Sequence, residues 1–500
     1  MNPKSSKYGS FCASDKIQTK HIGALMRRLL AILLLGFGFS ASGDDILQVY
    51  QQAHQNDPTF ALSEIGHRIQ KLNNYQAHTQ LLPQIRFSMP RGRSTNENRT
   101  TYPDEAINDP RYAFLGATQE NNGVWFERET EQVGWSANLS QTVFSVPTLI
   151  NVMTSRKSTV SSDYTLFSSE QALIIRVVEA YFSVLRAGAS LQNSLASEDA
   201  IKRQLEQAEQ RYEVGLTAST DVLNARASYD DAIVSRIQAW NSFDIEFEAL
   251  RVLTGVTINE LSGLDEDFPI QNPVPNSEEA WVEMALKNNP QVRAQEISYE
   301  SAKLRHWGQL AKDLPSITLG MSYNRSEQPF NLGGQDTPWD YVSERKGFNI
   351  GLTFSATVSA GSRFAQDRIS ALNREQSRLQ LVQQRLNVEN QTRRQFRTVV
   401  TDVQRVQARL RAIASSEASK QATETGYEVG TRNIVEVLNA QRALFGAQLA
   451  YQNAKYDYIL GMLRLKQNAG VLTAAEIEEL NRFMDNENTV NRPTSMSGRQ

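Results

Sequence analysis

The chain has 500 residues, with 52 Lys/Arg against 55 Asp/Glu, 40% hydrophobic residues and a single cysteine, Cys12. A weakly acidic balance gives no electrostatic basis for nucleic-acid binding, which draws on a cationic surface. One cysteine excludes a disulfide scaffold, and no apolar run reaches the ~18 residues of a transmembrane helix, so any membrane crossing must be made by strands.

Arg27-Arg28, the apolar run Leu29 to Phe39 and the small residues Ser40-Ala41-Ser42-Gly43 have the order of a secretory signal peptide. Residues 1–43 are read as that leader, with cleavage near Ser42 or Gly43. Met26 is a candidate start, because the segment ahead of it is unusual for a leader. The mature chain then keeps 46 Lys/Arg against 54 Asp/Glu, a charge of −8, and no cysteine. It has no thiolate nucleophile and no cysteine through which a lipid could anchor it.

The first mature helix begins at Asp44-Asp45 and stops before Asp57-Pro58. A second helix starts there, with Asp57 as N-cap and Pro58 at the first helical position. It ends at Leu81-Leu82-Pro83, because the residue before a proline leaves the helical region. The later stretch Trp281 to Leu286, Asn289-Pro290 and Leu314-Pro315 repeats this plan, with its two prolines at the same spacing. The chain is thus two structural repeats, 44–275 and 276–470, followed by a C-terminal segment and flexible tail, 471–500.

After each second proline the period changes from helix to strand. Ile85, Phe87 and Met89 alternate with polar neighbours, as do Ile317, Leu319, Met321 and Tyr323. Return strands carry Trp135, Ala137, Leu139 and Val143, and Phe348, Ile350, Leu352, Phe354 and Ala356. Strands are expected at about 83–91, 133–144, 315–324 and 347–357. Ten-residue segments with one apolar face and one small-polar face suit a barrel wall between lipid and water. The aromatic edges Trp125, Trp135, Trp339, Tyr341 and Phe348 favour lipid over a packed sheet. Long polar loops are expected at roughly 91–133 and 325–346. Four strands cannot close a barrel, so copies must pool theirs; two, three or four copies satisfy the arithmetic.

From Pro147 to Val214, and from Ser362 to Thr425, almost nothing breaks a helix. At ~1.5 Å per residue each would run roughly 100 Å. The seam Phe396, Val399, Val403, Val406, Leu410 and Ile413 is spaced 3-4-3-4-3, and Tyr181, Val184, Gly188, Leu191 and Leu195 lie at the equivalent positions. Such spacing means coiled-coil packing. The basic stretch Arg393 to Arg411 is the polar face of that coil.

Each long helix ends in a repeated phrase. Tyr212-Glu213-Val214-Gly215, five residues, then Asp221-Val222-Leu223-Asn224-Ala225 returns as Tyr427-Glu428-Val429-Gly430, five residues, then Glu436-Val437-Leu438-Asn439-Ala440. Eight of the fourteen positions are identical at an offset of 215. Glycine after a periodic run stops a helix, so each phrase, about 212–225 and 427–440, is the tip of a helical hairpin. The returning helices end at Gly255-Val256 and Gly470-Val471.

These tips, with Ile46-Leu47-Gln48-Val49-Tyr50-Gln51-Gln52-Ala53 near the start and Leu472 to Asn481 near the end, resemble the TolC family of trimeric outer-membrane export channels. The resemblance covers nearly the whole mature chain. It implies an α + β membrane protein: a homotrimer sharing a twelve-stranded barrel in outer-membrane lipid, continued by a helical coiled-coil tunnel in the periplasm. It implies an equatorial belt built from the N-terminal helix, the 276–289 helix and the C-terminal segment. It also implies partners, namely a periplasmic adaptor (membrane fusion protein) and an inner-membrane ABC, RND or MFS pump, working in type I secretion or multidrug efflux. No cofactor is expected.

By this resemblance Glu436 and Asn439 line the tunnel entrance, where the family carries two acidic residues, so a double acidic ring becomes a single one. Acidic rings set cation preference in pores. Asn433-x-x-Glu436 also has the form of a capping box. The resemblance makes Thr220, Asp221, Tyr427 and Arg432 a latch, the arginine and tyrosine of one tip bonding to the other tip. The competing reading has Thr220 and Asp221 capping the returning helix and Arg432 solvated. Gly215 and Gly430 supply left-handed backbone and a docking surface for the adaptor. His54, His67, His78 and His306 show no metal-ligand spacing and read as solvated or hydrogen-bonded. No nucleophile motif, phosphate loop or paired carboxylates point to an enzyme. The function expected is a passive export duct gated by its tips. The rival is a non-conducting coiled-coil scaffold anchored by strands.

Overall fold

A computed structural model describes residues 44–101, 110, 123–265, 267–332, 339–356 and 360–492. The leader call, 1–43, and the last residues of the tail, 493–500, lie outside them. Two halves repeat one plan. The first runs α1 Ile46–Asn56, α2 Pro58–Thr79, β1 Gln84–Ser88, β2 Arg91–Thr101, β3 Gly123–Phe144, α3 Val146–Glu213 and α4 Ser219–Thr254. After β4 Glu260–Leu264 come α5 Glu278–Asn288, α6 Pro290–Leu310, β5 Ser316–Leu332, β6 Trp339–Ser355, α7 Ala360–Glu428 and α8 Ile434–Asn468. The chain closes with α9 Ala475–Asn481 and β7 Met484–Asn491.

Matching caps explain the matching prolines. Asp57 accepts from the Thr59 and Phe60 amides, and Asn289 from those of Gln291 and Val292, each satisfying donors that a helix start leaves free. Proline in the next position has no donor to satisfy.

Strands β1, β2, β3, β5 and β6 form one antiparallel sheet in the order β1-β3-β5-β6, with β2 continuing β1 along β3. Register aligns the apolar positions into rows. Ile85 pairs with Leu139, Leu139 with Met321, and Met321 with Ile350. Phe87, Ala137, Tyr323 and Phe348 form the next row, and the Trp135 ring packs tilted against that of Tyr323, their centroids 4.9 Å apart. On the single chain Ile85, Phe87, Phe348, Ile350 and Phe354 are exposed, while Leu139, Ala137, Met321 and Tyr323 on the central strands are half-buried. The other face carries Arg86, Asn138, Ser322 and Asn349. At one end the register shifts between Thr142 and Phe144, so Phe144, not Val143, pairs with Ile317.

The segments expected as loops are largely paired strand. Arg91–Thr101 pairs with Gly123–Val133, and Arg325–Leu332 with Trp339–Lys346. Polar cross-strand pairs hold these arms: Arg91 reaches Glu131 at 3.1 Å, and Arg325 reaches Glu344 at 2.8 Å. Backbone pairing needs no apolar face, so such arms leave no alternation to read. The remaining loop residues, 102–109, 111–122 and 333–338, lie outside the described ones.

Helices α3 and α7 have 68 and 69 residues, and α4 and α8 return beside them with 36 and 35. One large core joins α1, α3, α4, α7 and α8 around Tyr181, Phe182, Phe247, Val399 and Leu465. The coiled-coil seam is buried here at Tyr181, Val184, Val399, Val403 and Val406, but Leu410 and Leu195 are exposed. The N-terminal and C-terminal segments share this core through Ile46, Val49, Ile477 and Leu480. The tail is more ordered than expected: β7 pairs with β4, and Arg492 binds Asp244 and Glu248. Two further seams remain uncovered, Leu62, Ile65, Ile69 and Leu72 on α2, and Ile369, Leu372, Leu379 and Leu386 on α7.

Candidate functional site

The hairpin tips are built by the same backbone device. At the first, the Leu216 amide donates to the Arg211 carbonyl and the Gly215 amide to that of Tyr212. At the second, Thr431 donates to Gly426 and Gly430 to Tyr427. These are Schellman motifs, which require left-handed backbone at the residue after the helix. Gly215 has φ 75° and Gly430 φ 81°, and the space where a Cβ would stand is open at both. Val214, Leu216 and Val429 stand exposed beside them.

The two tips then diverge. Asn433 caps α8, its Oδ1 accepting from the Glu436 amide at 2.9 Å. The return half of a capping box is replaced: the Glu436 carboxylate accepts from Arg432 Nη1 at 2.5 Å. Asn439 lies one turn on and is exposed. In the first tip the cap of α4 is Ala218 with no side-chain bond, so neither Thr220 nor Asp221 caps the helix. Asp221 accepts instead from the Thr217 hydroxyl at 2.5 Å, and Thr220 is exposed.

The expected bonds from Arg432 and Tyr427 to Thr220 and Asp221 are therefore not made within the chain. Arg432 is held by its own helix, where a pair four residues apart forms readily. Tyr427 is buried, and its hydroxyl has no hydrogen-bond partner. Burial raises its pKa, with Arg211 opposing and Asp221 reinforcing. Its ring packs with Ile201, Ala232, Ile434, Val437 and Leu438, drawn from α3, α4 and α8. The Arg211 guanidinium lies 4.8 Å from the ring centroid. Sequence reasoning missed Arg211. The signal was available, since its counterpart at an offset of 215 is Gly426.

Arg397 makes two bonds to Glu278, at 2.8 and 3.0 Å, and holds its carboxyl below the usual range. His67 is buried rather than solvated, with Ser162 at 3.3 Å and Asp163 at 3.4 Å, and His306 binds Ser370. Among the described residues no cluster of His, Cys, Asp and Glu would hold a metal, and no helix is long and apolar enough to cross a membrane.

Known proteins share this architecture. The outer membrane efflux protein family matches residues 49–256 and 281–471. Outer membrane protein TolC of Vibrio cholerae is 30% identical over 461 residues, spanning 91% of this chain and 98% of the relative. Alkaline protease secretion protein AprF of Pseudomonas aeruginosa is 26% identical over 461 residues, spanning 91% of each. Among solved structures, the CusC channel superposes with a TM-score of 0.67 at 15% identity, covering 85% of this chain and 92% of that one. The chain belongs to the outer membrane efflux protein family, which includes the TolC proteins.

Proposed function

We propose that this protein is the outer-membrane duct of an export system, extending into the periplasm and working with an inner-membrane pump. Family membership supports the location and the transport role. The observation that carries the reading is the continuity of two parts. A sheet with an exposed apolar face runs directly into two helices of 68 and 69 residues, each roughly 100 Å long. The sheet suits lipid on that face, and the helices suit a path across the periplasm.

The finer assembly follows from what a single chain leaves unfinished. In the sheet order β1 and β6 are edges, and open edges are not tolerated in lipid. The uncovered seams on α2 and α7 have coiled-coil spacing and call for helices of another copy. Three copies would give a twelve-stranded barrel above a helical tunnel. Partners of this assembly are a periplasmic adaptor docking at Gly215 and Gly430, and an ABC, RND or MFS pump. Opening is an iris-like movement of the tips. Glu436 and Asn439 stand at the constriction, while Thr220, Asp221, Tyr427 and Arg432 lie where the two tips of neighbouring hairpins face each other.

Native mass spectrometry in detergent and planar-bilayer recording test this together. A mass of three chains with single-channel conductance is expected. A stable assembly that never conducts would favour the coiled-coil scaffold. Crosslinking at the tips, followed by identification of the attached pump, assigns the cargo class. The AprF relative is named for protease secretion, which makes polypeptide cargo one of the two classes to assay beside small molecules.

A further inference from the structure

We infer that a cavity among α5, α8 and α9 is the docking site for a basic segment of another periplasmic protein, which inserts one large apolar side chain into it. The inference assigns a partner to this region and does not depend on conduction or on the hairpin tips.

The cavity measures about 370 Å³, and its apolar lining includes Phe268, Trp281, Met462, Leu463, Leu480 and Phe483. Trp281, Leu463 and Leu480 are buried, while Phe268, Met462 and Phe483 are half-buried and leave apolar surface open to the space. Its walls are fixed in advance. The Tyr458 hydroxyl donates to the Gln271 carbonyl at 2.7 Å and accepts from the Gln271 amide at 3.0 Å, which pins the 268–274 stretch to α8. Trp281 Nε1 donates to the Pro275 carbonyl at 2.8 Å. The Phe268 and Phe483 rings meet edge to face, their centroids 5.1 Å apart. All of these walls come from one chain, and the seams that call for other copies lie elsewhere, on α2 and α7.

Charge identifies the occupant. Residues 260–287 and 471–492, which supply much of the lining, hold twelve Asp/Glu against three Lys/Arg. Their excess is as large as that of the whole mature chain, so the rest of the chain is close to neutral. At the rim Lys466 is paired with Glu476, and Glu479, one turn further along α9, is exposed. Glu478 and Glu487, also exposed, carry the acidic surface beyond the rim. A volume near the lower end of small-ligand sites admits one large side chain, whereas the charge spreads over a longer surface. A polypeptide with one apolar anchor between several cations matches both. The carboxylates of a cell-wall peptide would meet repulsion here.

The test uses the full-length assembly in detergent and calorimetry with two end-blocked synthetic peptides, a tryptophan flanked by lysines and a tryptophan flanked by glutamates. The basic peptide is expected to bind at least roughly tenfold more tightly, with the advantage shrinking at high salt. Glycine in place of its tryptophan should weaken it about thirty-fold. Glu479→Lys should weaken the basic peptide roughly tenfold, while Glu417→Lys, an exposed control on α7, should leave it unchanged. Met462→Trp should fill the space and abolish binding. Val274→Cys gives the same block without altering the core, because Val274 lines the cavity, is 84% exposed and can carry a bulky maleimide. The mature sequence has no other cysteine to label. No binding, equal binding of the two peptides, or undiminished binding in the labelled Val274→Cys variant would overturn the inference. So would a Val274→Cys thiol that no maleimide reaches in the assembly, which would give the cavity to a neighbouring copy. Displacement of the basic peptide by soluble peptidoglycan fragments at lower concentration would overturn it in favour of the cell wall.

Discussion

Arg432 Nη1 stands 2.5 Å from Glu436 Oε2, so the arginine of the second tip neutralises the carboxylate of its own helix. The pair is partly exposed and four residues apart, a geometry worth only about 0.3–0.5 kcal/mol. Its weight is therefore in charge placement rather than stability. Arg432→Ser should uncover Glu436, raising both single-channel conductance and the preference for cations. Reversal potentials across a salt gradient measure this, and unchanged values would remove Arg432 from the entrance.

Asn439 sets the second expectation. It is exposed, three residues beyond Glu436 and thus on a neighbouring part of the same helix face. Asn439→Asp should add a second carboxylate and tighten block by a trivalent cation on the order of tenfold, about 1.4 kcal/mol. The gain should shrink at high ionic strength. A half-blocking concentration equal to the wild type's would place Asn439 away from the ion path.

Asp402 gives a pH prediction far from the tips. It is buried beside Arg405, at 3.0 Å, and faces Asp457, which Arg186 of α3 holds at 2.6 Å. Burial raises its carboxyl above the ordinary 3.8, with Asp457 adding to the rise and Arg405 opposing it. A raised carboxyl contributes stability below the unfolded value and loses it as pH climbs through the folded one. At neutral pH the charged form is a cost. Asp402→Asn should melt higher than the wild type at pH 7, with the gap closing toward acid. A variant melting lower at pH 7 would mean that the pair with Arg405 outweighs burial.

Gly188 tests the C-terminal clamp. A Cβ there would lie 2.8 Å from Val490 Cγ1 and 3.1 Å from Phe243. Gly188→Ala should cost about 1–3 kcal/mol by overpacking. Adding Val490→Ala removes the nearer obstacle and should recover part of the loss. Thermal melts in detergent decide this, and no recovery would point to Phe243 as the rigid neighbour.

What could be read before the structure was whatever repeats or leaves a local mark. The paired prolines, the Asp57 and Asn289 caps and the glycines at the tips each act within a few residues. The polar arms beyond Arg91 and Arg325 were invisible, because Arg–Glu pairs across strands show no apolar period. The β4–β7 pairing joins residues near 260 to residues near 490, and no local signal connects them. At the tips the residue types were legible but their partners were not. Within the chain Arg432 bonds Glu436 four residues on, and no loop has to be ordered to make that bond.

Asn481 ties the two ends of the chain: its Oδ1 accepts from the Leu47 amide, 434 residues away, and its Nδ2 donates to Asp45. A polypeptide delivered from its N-terminus must wait almost until its last segment arrives before this knot can form. Helix α1 spends that interval with Ile46, Val49 and Tyr50 lacking their final neighbours. A chain shortened before Asn481 would lack both bonds that fix Leu47 and Asp45, along with the α9 residues Ile477 and Leu480 that share the core with α1.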